Sequence, residues 1–80
     1  MAAHLVKTNG EIEEEIRRRA QGAADAHDEG IVIHKPSVVP TPEPTIYGSH
    51  WVIMSIREPG IGFVEKAAVQ VAKIWDIRRA

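Results

Sequence analysis

The stretch "SIREPGIGFVEKAA", residues 55–68, joins an apolar strand to a helix through Pro59, Gly60 and Gly62. Glycines before a helix can place backbone N–H groups around a phosphate. However, the dinucleotide-binding fingerprint requires a third glycine where this chain has Glu65, and the Gly-Lys-Ser/Thr of a P-loop does not occur. Pro59 and Gly60 suit the two central positions of a type II turn. The stretch therefore predicts a turn that redirects the chain, not a phosphate loop.

The hydrophobic pattern predicts a strand before this turn and a helix after it. In the strand, "IYGSHWVIMSI", Trp51 and Ile53 lie on one face and Val52 and Met54 on the other. Both faces are largely apolar, so we expect both to be covered. After the turn, apolar residues recur at helical spacing and predict an amphipathic helix over residues 63–79.

The N-terminal half predicts a second helix and a second strand. Thr8 and Glu11 have the spacing of a capping box, which marks the start of a charged helix. Gly30 suits the end of that helix. The β-branched run "IVIHK", residues 31–35, then predicts a short strand that Pro36 stops.

Four of the five prolines fall in "PSVVPTPEP", which begins at Pro36. Such a segment predicts an extended, polyproline-like connector, and we assign residues 36–45 to a proline-rich arm. A connector this long in a small domain is expected to be functional or to pack on a neighbour. The predicted fold class is α+β: an N-terminal helix, a small antiparallel sheet with a long proline-rich connector, and a C-terminal amphipathic helix packed on the sheet.

Composition limits the possible classes of protein. The 80 residues predict a single small domain over residues 1–80, with a flexible N-terminus at residues 1–7. Because there are no cysteines, disulfides cannot supplement so small a core, and partner surface is the expected stabiliser. The net charge of −1 gives no indication of sequence-specific nucleic-acid binding. The apolar runs are too short to span a membrane, and no signal peptide is predicted.

No residue pattern predicts catalysis. Residues 27–29, "HDE", together with His34 and His50, could supply metal ligands, but no pair has the spacing of a helical zinc site. Ser49 and His50 are neighbours on a predicted strand, which points them to opposite faces. We therefore expect no enzyme activity, no cofactor, no metal and no small-molecule substrate.

The sequence does predict a core and an interface. Trp51 and Trp75 are the large anchors, and one of them is expected to be shared with an interface. The predicted core residues are Ile31, Ile33, Trp51, Ile53, Phe63, Val64, Ala67, Val71, Ile74 and Trp75. The predicted interface residues are Pro36, Val38, Val39, Pro40, Pro42, Pro44 and Tyr47 of the arm and its surroundings, with Glu13, Arg17 and Arg18 of the first helix.

One family shares this arrangement. The segment "EPGIGFVEKAA" resembles the small tail-completion, or neck, proteins of long-tailed bacteriophages at Pro59, Gly60, Phe63, Ala67 and Ala68. In that family a Pro/Gly-containing stretch follows the sheet, and an aromatic residue and an alanine then begin the C-terminal helix. The order of elements is similar from residue 11 to residue 79.

The resemblance implies a non-enzymatic virion component, assembled in the host cytoplasm. Such a component forms a homo-oligomeric ring at the head-to-tail junction and contacts other connector or tail proteins. We expect the arm to reach an adjacent subunit. The alternative is a small adaptor or regulatory module that presents its proline-rich segment to a partner domain.

Overall fold

The computed structural model describes residues 4–78. Its elements are strand β1 (Leu5–Lys7), helix α1 (Asn9–Ala26), strands β2 (Ser37–Pro40) and β3 (Trp51–Ser55), helix α2 (Ile61–Ala72) and strand β4 (Trp75–Ile77). β2 pairs antiparallel with β3, and β1 pairs parallel with β4, in two separate two-stranded sheets. The fold is α+β, as predicted, and the C-terminal helix packs on strands.

Helix α1 begins at the predicted capping box. The Thr8 N–H donates to Glu11 Oε1 at 2.9 Å, and the Glu11 N–H donates to Thr8 Oγ1 at 3.2 Å. These two bonds satisfy backbone donors that the first turn leaves unpaired. One face of the helix then buries a stripe of side chains against α2, consisting of Ile12, Ile16, Ala20 and Ala24.

The strand predicted at residues 31–35 is absent, and a helix side chain provides the reason. Gln21 Nε2 donates to the Ile31 carbonyl at 2.9 Å, and the Ile33 N–H donates to Gln21 Oε1 at 2.8 Å. The Gln21 amide thus occupies backbone groups that a neighbouring strand would have bound. The segment is held against α1 without forming a ladder of its own.

Instead, β2 lies inside the segment predicted as an arm, so that prediction is wrong for residues 37–40. Val38 is opposite Ile53, and Pro40 is opposite Trp51. A proline lacks the N–H that a central strand would use, and Pro40 is accommodated at the end of a strand that has only one strand neighbour. Of the remaining arm, Pro36 precedes β2, and residues 41–45 belong to the loop between β2 and β3.

The two ends of the described chain also differ from prediction. The prediction of a flexible N-terminus over residues 1–7 is wrong for Leu5–Lys7, because these residues form β1, and residues 1–3 lie outside the described residues. The C-terminal helix ends at Ala72, and Trp75–Ile77 forms β4; Arg79, at the predicted helix end, lies outside the described residues. The Arg78 N–H donates to the Lys7 carbonyl at 2.8 Å, one of the bonds that join the two segments. Pairing between distant segments has overridden the helical pattern of the sequence.

The core receives side chains from both helices and both sheets. Of the predicted core residues, Ile33, Trp51, Val64, Ala67 and Val71 are buried, and Ile31, Ile53, Phe63 and Trp75 are partly buried against them. Ile74 is 43% exposed, contrary to prediction, because it follows the end of α2 in the turn before β4. Val38, predicted at an interface, is 3% exposed and belongs to the core.

Candidate interaction surface

An apolar groove runs along one edge of the β2–β3 sheet. Its volume is about 160 Å³, and its lining residues are Thr45, Tyr47, Trp51, Val52, Ile53, Ala68, Val69 and Ala72. Successive side chains of a strand point to opposite faces, so three consecutive residues of β3 line one cavity only if it follows the strand edge. Within residues 4–78, β3 has β2 as its single strand neighbour. The groove therefore lies between the unpaired edge of β3 and helix α2.

The face of the β2–β3 sheet that points away from the core is apolar and uncovered. We call Val39, Val52 and Met54 the outer face, because Val39 is opposite Val52 in the ladder and Met54 follows on the same side. Val52 is 42% and Met54 is 65% exposed. The prediction that both faces of this strand are covered is therefore wrong for the single chain.

The two edges of this sheet differ in whether another part of the chain binds their backbone groups. On β2, the Val38 N–H donates to Glu13 Oε2 at 2.9 Å, and Asn9 Nδ2 donates to the Val38 carbonyl at 3.4 Å. Helix α1 thus binds the backbone of β2 from outside. Glu13, predicted to contact a neighbour, is used inside the chain, and the β3 edge remains the one open to an added strand.

The other predicted interface residues are distributed over several environments. Arg17 contacts Glu14 and Arg18 contacts Glu15, each at 2.6 Å within α1. Pro36 is buried, and Tyr47 is partly buried against the core. Pro40, Pro42 and Pro44 are exposed, and Val39 is half-buried. The structure brings only Val39 and Tyr47 to the outer face and the groove.

Asp76, the middle residue of β4, contacts His50, which immediately precedes β3, and the sequence did not predict this contact. Its Oδ1 accepts the His50 N–H at 2.7 Å and the Ile77 N–H at 2.8 Å, while Oδ2 lies 2.9 Å from His50 Nδ1. Burial opposes ionisation of the carboxyl group, but the hydrogen bonds from His50 and Ile77 outweigh it and hold the pKa of Asp76 below its ordinary value. The carboxylate connects the two sheets.

Ser49 and His50 do not form a nucleophile–base pair. The His50 ring is engaged by Asp76, whereas the Ser49 hydroxyl is fully buried and lies 3.1 Å from Thr45 Oγ1. A serine nucleophile would need to be within hydrogen-bond reach of the imidazole. Across residues 4–78, no group of three or more His, Asp or Glu side chains is placed to hold a metal ion.

We expect the free energy of unfolding to fall as the pH is lowered from about 5 to about 2. The hydrogen bond from Arg18 lowers the pKa of Glu15 from 4.5 to about 2, against the effect of burial, and Arg19 adds to the shift. A carboxyl group with a depressed pKa stabilises the fold above its unfolded pKa and loses that contribution as the pH falls through the folded value. Asp76 contributes in the same direction.

Urea unfolding at several pH values measures this dependence. Glu15→Gln should flatten the acid limb of the profile, because residue 15 can then no longer titrate. Glu29→Gln is the matched control, since Glu29 is exposed and forms no ion pair among residues 4–78. An unfolding midpoint that stays constant from pH 5 to pH 2 would contradict the expectation.

Comparison with protein-family models, with curated proteins and with solved structures finds no match to this chain. No helix in the described part of the chain is long and apolar enough to cross a membrane. The function must therefore be argued from the groove, the outer face and the contacts around them.

Proposed function

We propose that this chain is a non-enzymatic structural subunit that assembles with copies of itself through the outer face and the open edge of the β2–β3 sheet. The main support for this proposal is the exposure of the Val52 and Met54 side chains. Burying a large apolar side chain contributes roughly 1.5–3 kcal/mol, and a neighbouring subunit is a direct way to obtain it. The open β3 edge adds backbone donors and acceptors that a neighbour can bind.

In its more specific form, the proposal places the subunit in a homo-oligomeric ring at the head-to-tail junction of a bacteriophage, in contact with other connector or tail proteins. Its support is the resemblance of residues 58–68 to the neck proteins. A domain of 80 residues also buries a smaller share of its surface on folding than a larger domain does, so subunit contacts are an expected source of stability.

The exposed Pro42 and Pro44 favour one other candidate, an adaptor whose proline segment binds a partner domain. The two candidates differ in a measurable respect. An adaptor that binds through its proline segment needs no contact at the outer face, whereas the proposed ring subunit associates with itself through that face.

Sedimentation velocity at micromolar concentration tests the proposal. We expect the wild-type chain to sediment as one species larger than a dimer. The Val52→Lys/Met54→Lys variant should be monomeric, because burying the charged lysine side chains at the contact would cost the free energy of their hydration. The dissociation constant for self-association should rise at least about tenfold for each apolar side chain that is no longer buried at the contact.

The control is Leu5→Lys, which places one such charge on a 62% exposed side chain of β1, in the other sheet. This variant should assemble like the wild type. Circular dichroism establishes that all three proteins are folded. A wild-type chain that is monomeric or only dimeric overturns the ring, and assembly that survives the lysines at positions 52 and 54 overturns the outer face as its contact.

A further inference from the structure

Ile46 is the most exposed large hydrophobic side chain in the described part of the chain. It lies in the loop between β2 and β3, and its side chain is 92% exposed. The loop around it is ordered: the Thr45 N–H donates to the Ser49 carbonyl at 2.8 Å, and the Gly48 N–H donates to the Thr45 carbonyl at 2.9 Å. These bonds order the backbone on both sides of Ile46, whose side chain gains no stabilisation from burial within its own chain.

The groove beside β3 has the size and chemistry to accept such a side chain. An apolar cavity of about 150 Å³ holds a molecule of benzene, and the groove measures about 160 Å³. Three of its lining residues, Ala68, Val69 and Ala72, belong to α2. The branched side chain of an isoleucine would replace open solvent with contacts to these residues.

We propose that the groove receives Ile46 of a second copy of this chain. The inference rests on the proposed function and adds one contact to that at the outer face, with Val52 common to both. Thr45 and Tyr47 line the groove, yet Ile46 between them points to solvent. One chain therefore presents an apolar side chain and an apolar groove that its own Ile46 does not fill.

Charges on the two surfaces are complementary. Glu43 is exposed on the loop that presents Ile46, and Lys73 is exposed at the end of α2, directly after the groove residue Ala72. Within residues 4–78, neither forms an ion pair in its own chain. Glu43 is close to Ile46 in sequence and Lys73 follows Ala72, so insertion of Ile46 would bring charges of opposite sign to the same contact. Opposite charges at a contact of this kind fix orientation more than affinity.

Disulfide trapping tests the insertion directly, because the natural sequence contains no cysteine. An Ile46→Cys chain is mixed with a Val69→Cys chain, and the peptide that links positions 46 and 69 is quantified by mass spectrometry. Each chain carries a single thiol, so this link can form only between copies. A disulfide requires Cα atoms within about 7 Å of each other.

We expect the 46–69 link to form about a hundredfold faster than a link from chance collisions, since an assembled pair has an effective concentration of about 1 mM and the free chains are used at about 10 μM. The control pairs Val32→Cys with Val69→Cys. Val32 is also an exposed aliphatic residue, at 72%, but lies outside the β2–β3 loop. Its link to position 69 should form at the collision rate.

A second measurement uses the size of the assembly. Ile46→Asp should weaken self-association tenfold to a hundredfold and leave the fold intact, because the side chain contacts solvent in the single chain. Ile46→Leu should preserve association. If the wild type assembles but positions 46 and 69 link no faster than 32 and 69, the insertion is wrong and the proposed function stands. If the wild type is monomeric, both the insertion of Ile46 and the proposed self-assembly are wrong.

Discussion

Gly60→Ala is expected to lower the free energy of unfolding by about 2–4 kcal/mol. Gly60 has φ +89°, a conformation that costs a residue with a Cβ about 1–2 kcal/mol. A Cβ at this position would also lie 2.3 Å from Ile33 Cδ1 and 3.1 Å from Ile31 Cδ1. Ile33 is buried, so moving its methyl group disturbs the core at a typical cost of about 1–3 kcal/mol.

Gly62→Ala is the matched control for this prediction. Gly62 lies two residues further along, inside α2, and a Cβ there would meet no atom within 4 Å. Alanine favours the helix by about 1 kcal/mol over glycine, so this variant should be slightly more stable than the wild type. Urea unfolding of the three proteins gives the comparison. Equal destabilisation by the two substitutions would show that the close approach at Gly60 has been misjudged.

Asp76→Ala is expected to be similarly damaging, with a loss of about 2–4 kcal/mol. The substitution removes the acceptor for the His50 N–H, the Ile77 N–H and the His50 ring together. Each donor is partly buried, so water replaces the carboxylate incompletely. The cost arises because partners are left unsatisfied, not because one favourable bond is lost.

Asp76→Asn separates the geometry from the charge. Its amide oxygen can still accept from the His50 and Ile77 N–H groups, so we expect about half the loss seen with alanine. The control is Glu65→Ala, an exposed helix position where the change should stay within about 0.5 kcal/mol. Thermal unfolding followed by circular dichroism measures all three. An alanine variant at position 76 as stable as the wild type would remove the role assigned to the carboxylate.

Features that depend on neighbouring residues could be predicted from the sequence. The capping box of Thr8 and Glu11 is a local pattern, and the structure contains it. The left-handed conformation at Gly60 was likewise indicated by its place after Pro59. The core positions Val64, Ala67 and Val71 followed from helical spacing, because α2 presents one face to the rest of the fold.

Features that depend on distant partners could not be predicted in the same way. Nothing near residues 31–35 shows that Gln21 will bind the backbone there, and nothing near Trp75 shows that β1 will pair with β4. Trp75 and Ile77 fit a helical pattern equally well, since a short apolar run is compatible with helix or strand. The groove was missed for the same reason, because its walls come from separate parts of the chain.

The pairing of β1 with β4 has a consequence for how the chain is made. Leu5 pairs with Trp75, so the first and last described strands depend on each other. On the ribosome, β1 emerges long before β4 is translated, and it stays without its partner while α1, β2, β3 and α2 are synthesised. Joining segments so far apart in sequence also carries a large loop-closure entropy. The fold can therefore close only late, and an incomplete product that lacks β4 would leave the nascent N-terminal strand exposed to chaperones and proteases.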